Sequence, residues 1–168
     1  YCTGNSVQIG TPALAGHTYS WLPLAGLSAG NIAQPTVNTV NTGITPSQNI
    51  YRVTVTGPNG CTNVDSVVVT VNPLPLVVLN GSTTICRGAS TTLSAATGVS
   101  WLWTGGSTNQ SITVNPLVTT NYTLQVTDAN GCVDDSTLQV TVVQPDTANI
   151  TGNTVICFGQ STTLTQTV

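Results

Sequence analysis

The chain repeats itself at an offset of 71 residues, and this constrains its fold more than any other feature. Residues 81–93 (GSTTICRGASTTL) match residues 152–164 (GNTVICFGQSTTL) at nine of thirteen positions. Residues 51–71 and 122–142 match in the same frame, with nine identities in twenty-one. Two independent matches at one offset are the mark of tandem duplication. The frame divides the chain into residues 1–73, 74–144 and 145–168. The first unit lacks the opening strand of the frame and has a longer middle connection. The last is expected to hold only the first strands of a truncated third repeat.

Each unit reads as a series of short strands. Val67-Val68-Val69-Thr70-Val71 and Tyr122-Thr123-Leu124-Gln125-Val126 are β-branched and aromatic runs that partly alternate. Asn59-Gly60 and Asn130-Gly131 fall between such runs, where Asn-Gly predicts a two-residue hairpin turn. No stretch keeps a 3.6-residue period, so helices are not expected. In the second unit strands are predicted near 75–80, 91–96, 99–104, 110–114, 121–127 and 133–142. The fold class is therefore all-β: tandem small antiparallel sandwiches of immunoglobulin type, each with one disulfide.

The five cysteines follow the frame. Cys2 and Cys61 stand 59 positions apart in the first unit, and Cys86 and Cys132 stand 46 apart in the second. Six strands in up-and-down order would place both cysteine turns of a unit at one end; seven would separate them. The six-strand count predicts Cys2–Cys61 and Cys86–Cys132, with the partner of Cys157 beyond Val168. The rival is pairing across units, for example Cys61–Cys86, which would staple neighbours, and spacing alone does not decide between them.

Composition removes much of the functional menu. The chain has two Lys+Arg (Arg52 and Arg87), five Asp+Glu, one His and a net charge of −3. Two arginines cannot displace counterions along a phosphate backbone, so nucleic acid is not an expected partner. General acid–base chemistry needs His, Lys or paired carboxylates that this chain hardly has, so no enzyme, catalytic residue, metal or cofactor is expected. No apolar run approaches the ~20 residues of a membrane helix, so no membrane insertion is expected. Five cysteines without a single Lys, Glu or Met fit an oxidising, extracellular setting.

The string Ile85-Cys86-x-Gly88-x-Ser90-x-Thr92-Leu93 is followed by Trp101-x-Trp103, then Pro116-x-x-Thr119-Thr120-x-Tyr122, then Thr127-Asp128-Ala129-Asn130-Gly131-Cys132. This pattern resembles the Ig-like or PKD-like tandem repeats of very large secreted proteins of Bacteroidota, gliding-motility adhesins and type IX secretion cargo among them. The resemblance covers essentially the whole chain. It implies an exported, cell-surface or fibrous role and names no ligand. The first unit departs from it where Gly57-Pro58 replaces Asp-Ala and in its longer middle connection.

Several residues carry a functional reading beside a structural one. Tyr19-x-Trp21 and Trp101-x-Trp103 lie on one face of a strand; they suit a sugar platform, but their recurrence favours core aromatics. Asp128, Asn130, Asp134 and Asp135 surround a turn as calcium ligands do. The first unit keeps the Asn-Gly and not the carboxylates, which favours a hairpin. His17 reads as a loop residue with no acid near it. Sequons at Asn80, Asn109, Asn121 and Asn149 are no more than chance provides. Asp65-Ser66, Asp135-Ser136 and Asp146-Thr147 match the O-glycosylation pattern of bacteria that carry such repeats, which makes Ser66, Ser136 and Thr147 candidate sites; ordinary Asp-Ser/Thr turns read equally well. The Leu22–Ile50 connection is either a recognition loop or, at 36–42, an added edge strand.

The short, proline-bearing junctions Asn72-Pro73-Leu74-Pro75 and Val143-Gln144-Pro145 leave few free torsions between units. The expected function is a non-enzymatic structural segment of an extracellular repeat protein: a stalk, rod or filament on the cell surface, adhesin-related. Its expected partners are other copies of the same repeat or subunit. The alternatives are a module recognising surface glycans or a protein, and a spacer in a secreted enzyme.

Overall fold

The computed structural model describes residues 1–144, 149–152 and 155–167, and no helix occurs among them. Along residues 1–72 the strands are β1 (Val7–Gln8), β2 (Thr18–Leu22), β3 (Thr36–Val37), β4 (Ser47–Thr56) and β5 (Thr62–Val71). They form an antiparallel sheet in the order β2-β4-β5 and a short β1-β3 pair. Residues 79–143 carry β6 (Leu79–Asn80), β7 (Thr84–Cys86), β8 (Thr91–Ala95), β9 (Ser100–Trp103), β10 (Ser111–Val114), β11 (Thr120–Thr127) and β12 (Val133–Val143). These make two sheets, β10-β8-β6 and β7-β12-β11-β9. A three-stranded sheet facing a four-stranded one, with the opening segment passing from the first (β6) to the second (β7), is an immunoglobulin-like sandwich. Among the described residues no ladder joins the two groups of strands.

The long hairpins keep one register at the 71-residue offset, Val53 facing Asp65 and Leu124 facing Ser136, while Trp21 and Trp103, 82 positions apart, face Val53 and Leu124. Beyond residue 144, β13 (Asn149–Thr151) pairs with β14 (Thr165–Thr167), setting Ile150 against Gln166 as Leu79 is set against Ala95.

Alternation along the strands builds the cores. In residues 79–143, Leu93, Ala95, Trp103, Leu124, Val126 and Val140 are buried between the sheets, with Ile85 contributed by β7. In residues 1–72, Trp21, Tyr51, Val53 and Val69 meet Ile9 and Val37. The Leu22–Ile50 connection closes this second core. Its Ala33, Pro35 and Val37 are buried, and the Trp21 indole donates to Ile32 O at 2.9 Å. A strand spanning 36–42 does not form; β3 is two residues long.

Two local expectations change. The Asn130-Gly131 turn has a three-residue loop, closed by Asp128 N–H to Cys132 O at 2.9 Å. A two-residue type I′ turn needs positive φ at Asn130 as well, and among the described residues only glycines have it; Gly131 sits at φ 77°. The unit of residues 74–144 holds seven strands rather than six, because Thr84–Cys86 forms β7, parallel to the end of β12. Its partner lies more than fifty residues ahead, so no local pattern announces it.

Trp103 is 2% exposed, and its indole donates to Asn109 O at 2.9 Å. Trp103→Ala is expected to cost about 3–5 kcal/mol in denaturant unfolding of this sandwich. Tyr51 offers a pH test. Burial first, and the nearby Tyr1 second, push its phenol above the usual 10.0. The unfolded chain thus loses this proton at a lower pH than the fold does. The stabilisation is complete below pH 10 and drains away as pH rises through the folded value. Tyr51→Phe is expected to remove that alkaline loss, at a cost of about 1 kcal/mol for its bond to Ala25 O; thermal melts between pH 8 and 11 would show both.

Candidate functional site

The chemistry of this chain gathers at its cysteines. Cys2 is bonded to Cys132 with a Cα–Cα distance of 5.4 Å across a sequence separation of 130. Cys61, Cys86 and Cys157 are thiols, all exposed. The expected pairs Cys2–Cys61 and Cys86–Cys132 are therefore replaced by one bridge across the units, and neither sandwich holds a disulfide of its own.

The reason is in the strands. Cys86 lies beside Val143 in the parallel ladder of β7 and β12, whereas Cys132 immediately precedes β12. The eleven residues of β12 separate the two by roughly 35 Å at about 3.3 Å per residue. A disulfide needs Cα atoms within ~7 Å. The first unit obeys the same geometry. Cys2 bridges in parallel to Asn72, at the far end of the ten-residue β5 from Cys61. Four strands, β8 to β11, lie between the cysteine turns of residues 74–144, and the turns fall at opposite ends because β9 and β10 run in the same direction instead of alternating.

What the fold separates within a unit it brings together between units. The chain leaves the first sandwich at Asn72, beside Cys2. It reaches the second through Leu76 and Val78, which accept hydrogen bonds from Thr97 Oγ1 (3.0 Å) and Ala96 N–H (3.2 Å). That is the end carrying the Asp128–Cys132 turn. A cleft of about 290 Å³ lies there, lined by Ile44, Pro46, Leu74, Leu76, Thr97 and Asp128. Asn41 ties down the first side: its Nδ2 donates to Thr45 O (2.7 Å) and Val71 O (2.9 Å), and its Oδ1 accepts from Gly43 N–H (2.9 Å). Thr3 Oγ1 accepts from Asn41 N–H at 2.9 Å, fixing the segment that carries Cys2. Nothing in the sequence marks Asn41 out from the other asparagines.

The remaining candidates are placed as follows. Trp21 and Trp103 are core residues, and Tyr19 and Trp101 pack half-buried against the same clusters. The Asp128 carboxylate accepts from the N–H groups of Asn130 and Cys132, both at 2.8 Å, so the turn occupies it. No group of three or more potential metal ligands occurs among the described residues. His17 Nδ1 lies 3.0 Å from Ala15 O. Ser66 is exposed on β5, whereas Ser136 is half-buried on the face of β12 that carries Val140 inward. Thr147 lies outside the described residues.

No family model and no curated protein matches the chain. Among solved structures, it is similar to murine CEACAM1b at 13% identity and a TM-score of 0.34, over 84% of this chain and 94% of that one. It is also similar to the Bacteroides ovatus mixed-linkage glucan utilization locus protein SGBP-B, solved with a mixed-linkage heptasaccharide, at 14% identity and a TM-score of 0.31; 84% of this chain and 41% of that one are covered. For the human desmocollin-1 ectodomain the values are 12%, 0.30, 76% and 30%. Likeness this distant carries no argument about function, and the immunoglobulin-like assignment rests on the strand order above.

The loop closed by Cys2–Cys132 is long enough that chain entropy alone gives it roughly 5 kcal/mol. Replacing both cysteines by serine is expected to lower the free energy of unfolding by several kcal/mol, and Cys61→Ser to leave it within about 0.5 kcal/mol, as for other exposed sites. Urea titrations of the two variants check this.

Proposed function

We propose that this chain is a non-enzymatic structural segment of an extracellular repeat protein, a length of stalk, rod or filament at the cell surface. The observation that carries the reading is the Cys2–Cys132 bond. A disulfide inside a domain stabilises that domain; one across a junction fixes how two domains follow each other. Together with Pro73 and Pro75 it gives the junction two covalent connections where a flexible linker would give one. Its persistence fits an oxidising exterior.

Other features support the same reading. The two most deeply buried tryptophans, at 3% and 2% exposure, give no stacking surface to a sugar. Part of the longest connection, Ala33, Pro35 and Val37, is buried in the core. The surface is built for close company: with 4% charged residues, neighbouring rods repel one another little. Polarity comes instead from hydroxyls, as where Thr123 Oγ1 and Thr137 Oγ1 meet across strands at 2.8 Å. The resemblance to Ig-like or PKD-like repeats of secreted Bacteroidota proteins adds an adhesin-related setting to this proposal.

Small-angle scattering tests it. The oxidised chain should scatter as two bodies held in line with a narrow spread of inter-body distances. Cys2→Ser combined with Cys132→Ser should broaden that spread while leaving each sandwich folded. A distribution that the double variant leaves unchanged would remove the junction bond from the function.

A further inference from the structure

Two of the three thiols, Cys86 and Cys61, occupy places that the bonded pair has already defined. Cys86 stands where Cys2 stands. Each lies in parallel register with the end of the last long strand, at Val143 and Asn72, which are one repeat apart. The following residue donates to that strand in both cases: Thr3 N–H to Asn72 O and Arg87 N–H to Val143 O, each at 2.9 Å. The turn behind each is also the same, with Asn5 N–H to Cys2 O and Ala89 N–H to Cys86 O at 3.0 Å. Cys61 stands where Cys132 stands, closing its hairpin by Gly57 N–H to Cys61 O at 2.8 Å, against 2.9 Å from Asp128. The difference is burial. Cys132 is fully buried under its neighbour, and Cys61 and Cys86 are open.

The surfaces around the open thiols match as well. Beside Cys61 lies a concavity of about 370 Å³, lined by Leu14, His17, Val55, Gly57 and Val64 among others. Beside Cys86, the loop ahead of β11 leaves Leu117 and Val118 58% and 70% exposed. In the first unit this loop position is taken by Pro46, which lines the cleft at the bonded junction. One end of the chain thus presents an uncovered cysteine turn, and the second sandwich ends in an uncovered cysteine strand.

We propose that Cys2–Cys132 is one rung of a polar disulfide ladder, in which the strand cysteine of each unit bonds the turn cysteine of the next. Cys86 and Cys61 are the places where the ladder continues, and between copies of these 168 residues each takes the opposite end of another copy. The contact is heterologous, so it adds copies head to tail. The inference rests on the rod reading above. Bond formation needs an oxidant, here a low-molecular-weight disulfide such as oxidised glutathione. One protein thiolate attacks it and releases a glutathione thiolate. The second protein thiolate then attacks the mixed disulfide and releases another. The protein thiols lose two electrons and two protons, and both appear in two molecules of reduced glutathione.

The test is a disulfide map of the 168-residue chain carrying Cys157→Ser, oxidised with glutathione as an equal mixture of ¹⁵N-labelled and unlabelled protein. Cleavage after Arg52 and Arg87 and before each aspartate leaves the four remaining cysteines in four different peptides. The proposal expects Cys2–Cys132 with unmixed isotopes, Cys61–Cys86 with mixed isotopes, and a ladder on a non-reducing gel that Cys86→Ser abolishes. Cys61–Cys86 should exceed Cys61–Cys61 and Cys86–Cys86 by at least about tenfold, since a heterologous contact excludes the symmetric pairs. Symmetric links in comparable amount, an unmixed Cys61–Cys86 link, or both thiols left free or capped by glutathione would overturn the ladder. Any of these with Cys2–Cys132 intact leaves the rod reading standing, whereas loss of Cys2–Cys132 itself removes both.

Discussion

The structure turns on a three-residue strand laid parallel to the end of a long one. Thr84–Cys86 joins β12 at Thr141 to Val143, and this small ladder decides where the chain's covalent bond can form. It draws Ile85 into the core and carries Cys86 to the end of the sandwich at which the chain departs. The other cysteine of the unit stays behind, on the turn before β12. Cys2, beside Asn72, makes the same choice in the first unit. Two cysteines at opposite ends of a sandwich have no partner in their own unit. They face partners only where one unit follows another.

Much of this was legible in the sequence, and the error is informative. The 71-residue frame, the all-β class, the paired aromatics and the two cysteine positions in each unit can be read from residues 51–71, 81–93 and their counterparts. Strands such as Thr120–Thr127 announce themselves by alternation because their partner follows within one hairpin. Thr84–Cys86 does not, being short and paired with residues far ahead. The pairing itself fails on strand direction: four strands, β8 to β11, lie between the two cysteine turns, and an up-and-down count puts those turns at one end, but β9 and β10 run the same way and leave them at opposite ends. The Asn-Gly turn shows a smaller version: composition marks the turn, but its length depends on whether Asn130 can take positive φ. Burial of Asn41 has no sequence signal, since beside its local bonds to Gly43 and Thr45 it is held by Val71 O, thirty residues away.

A bond across a junction also changes how a rod carries load. In a ladder of such bonds a pull reaches a unit through its turn cysteine and leaves through its strand cysteine. For residues 74–144 that path runs between Cys132 and Cys86, 46 positions apart, rather than through the whole 71-residue repeat. Fully extended at about 3.4 Å per residue, it limits an unfolded unit to roughly 160 Å where an unstapled one could reach roughly 240 Å. The two anchors lie at opposite ends of the sandwich, so the pull runs along the strands and loads the ladder hydrogen bonds in shear, many at once. A disulfide inside each unit, with its two cysteines at one end, would leave the junctions as the weak points of the rod. In the proposed rod, a bond across the junction would remove that weakness, in a chain whose scarcity of charge leaves few ion pairs to hold neighbouring units together.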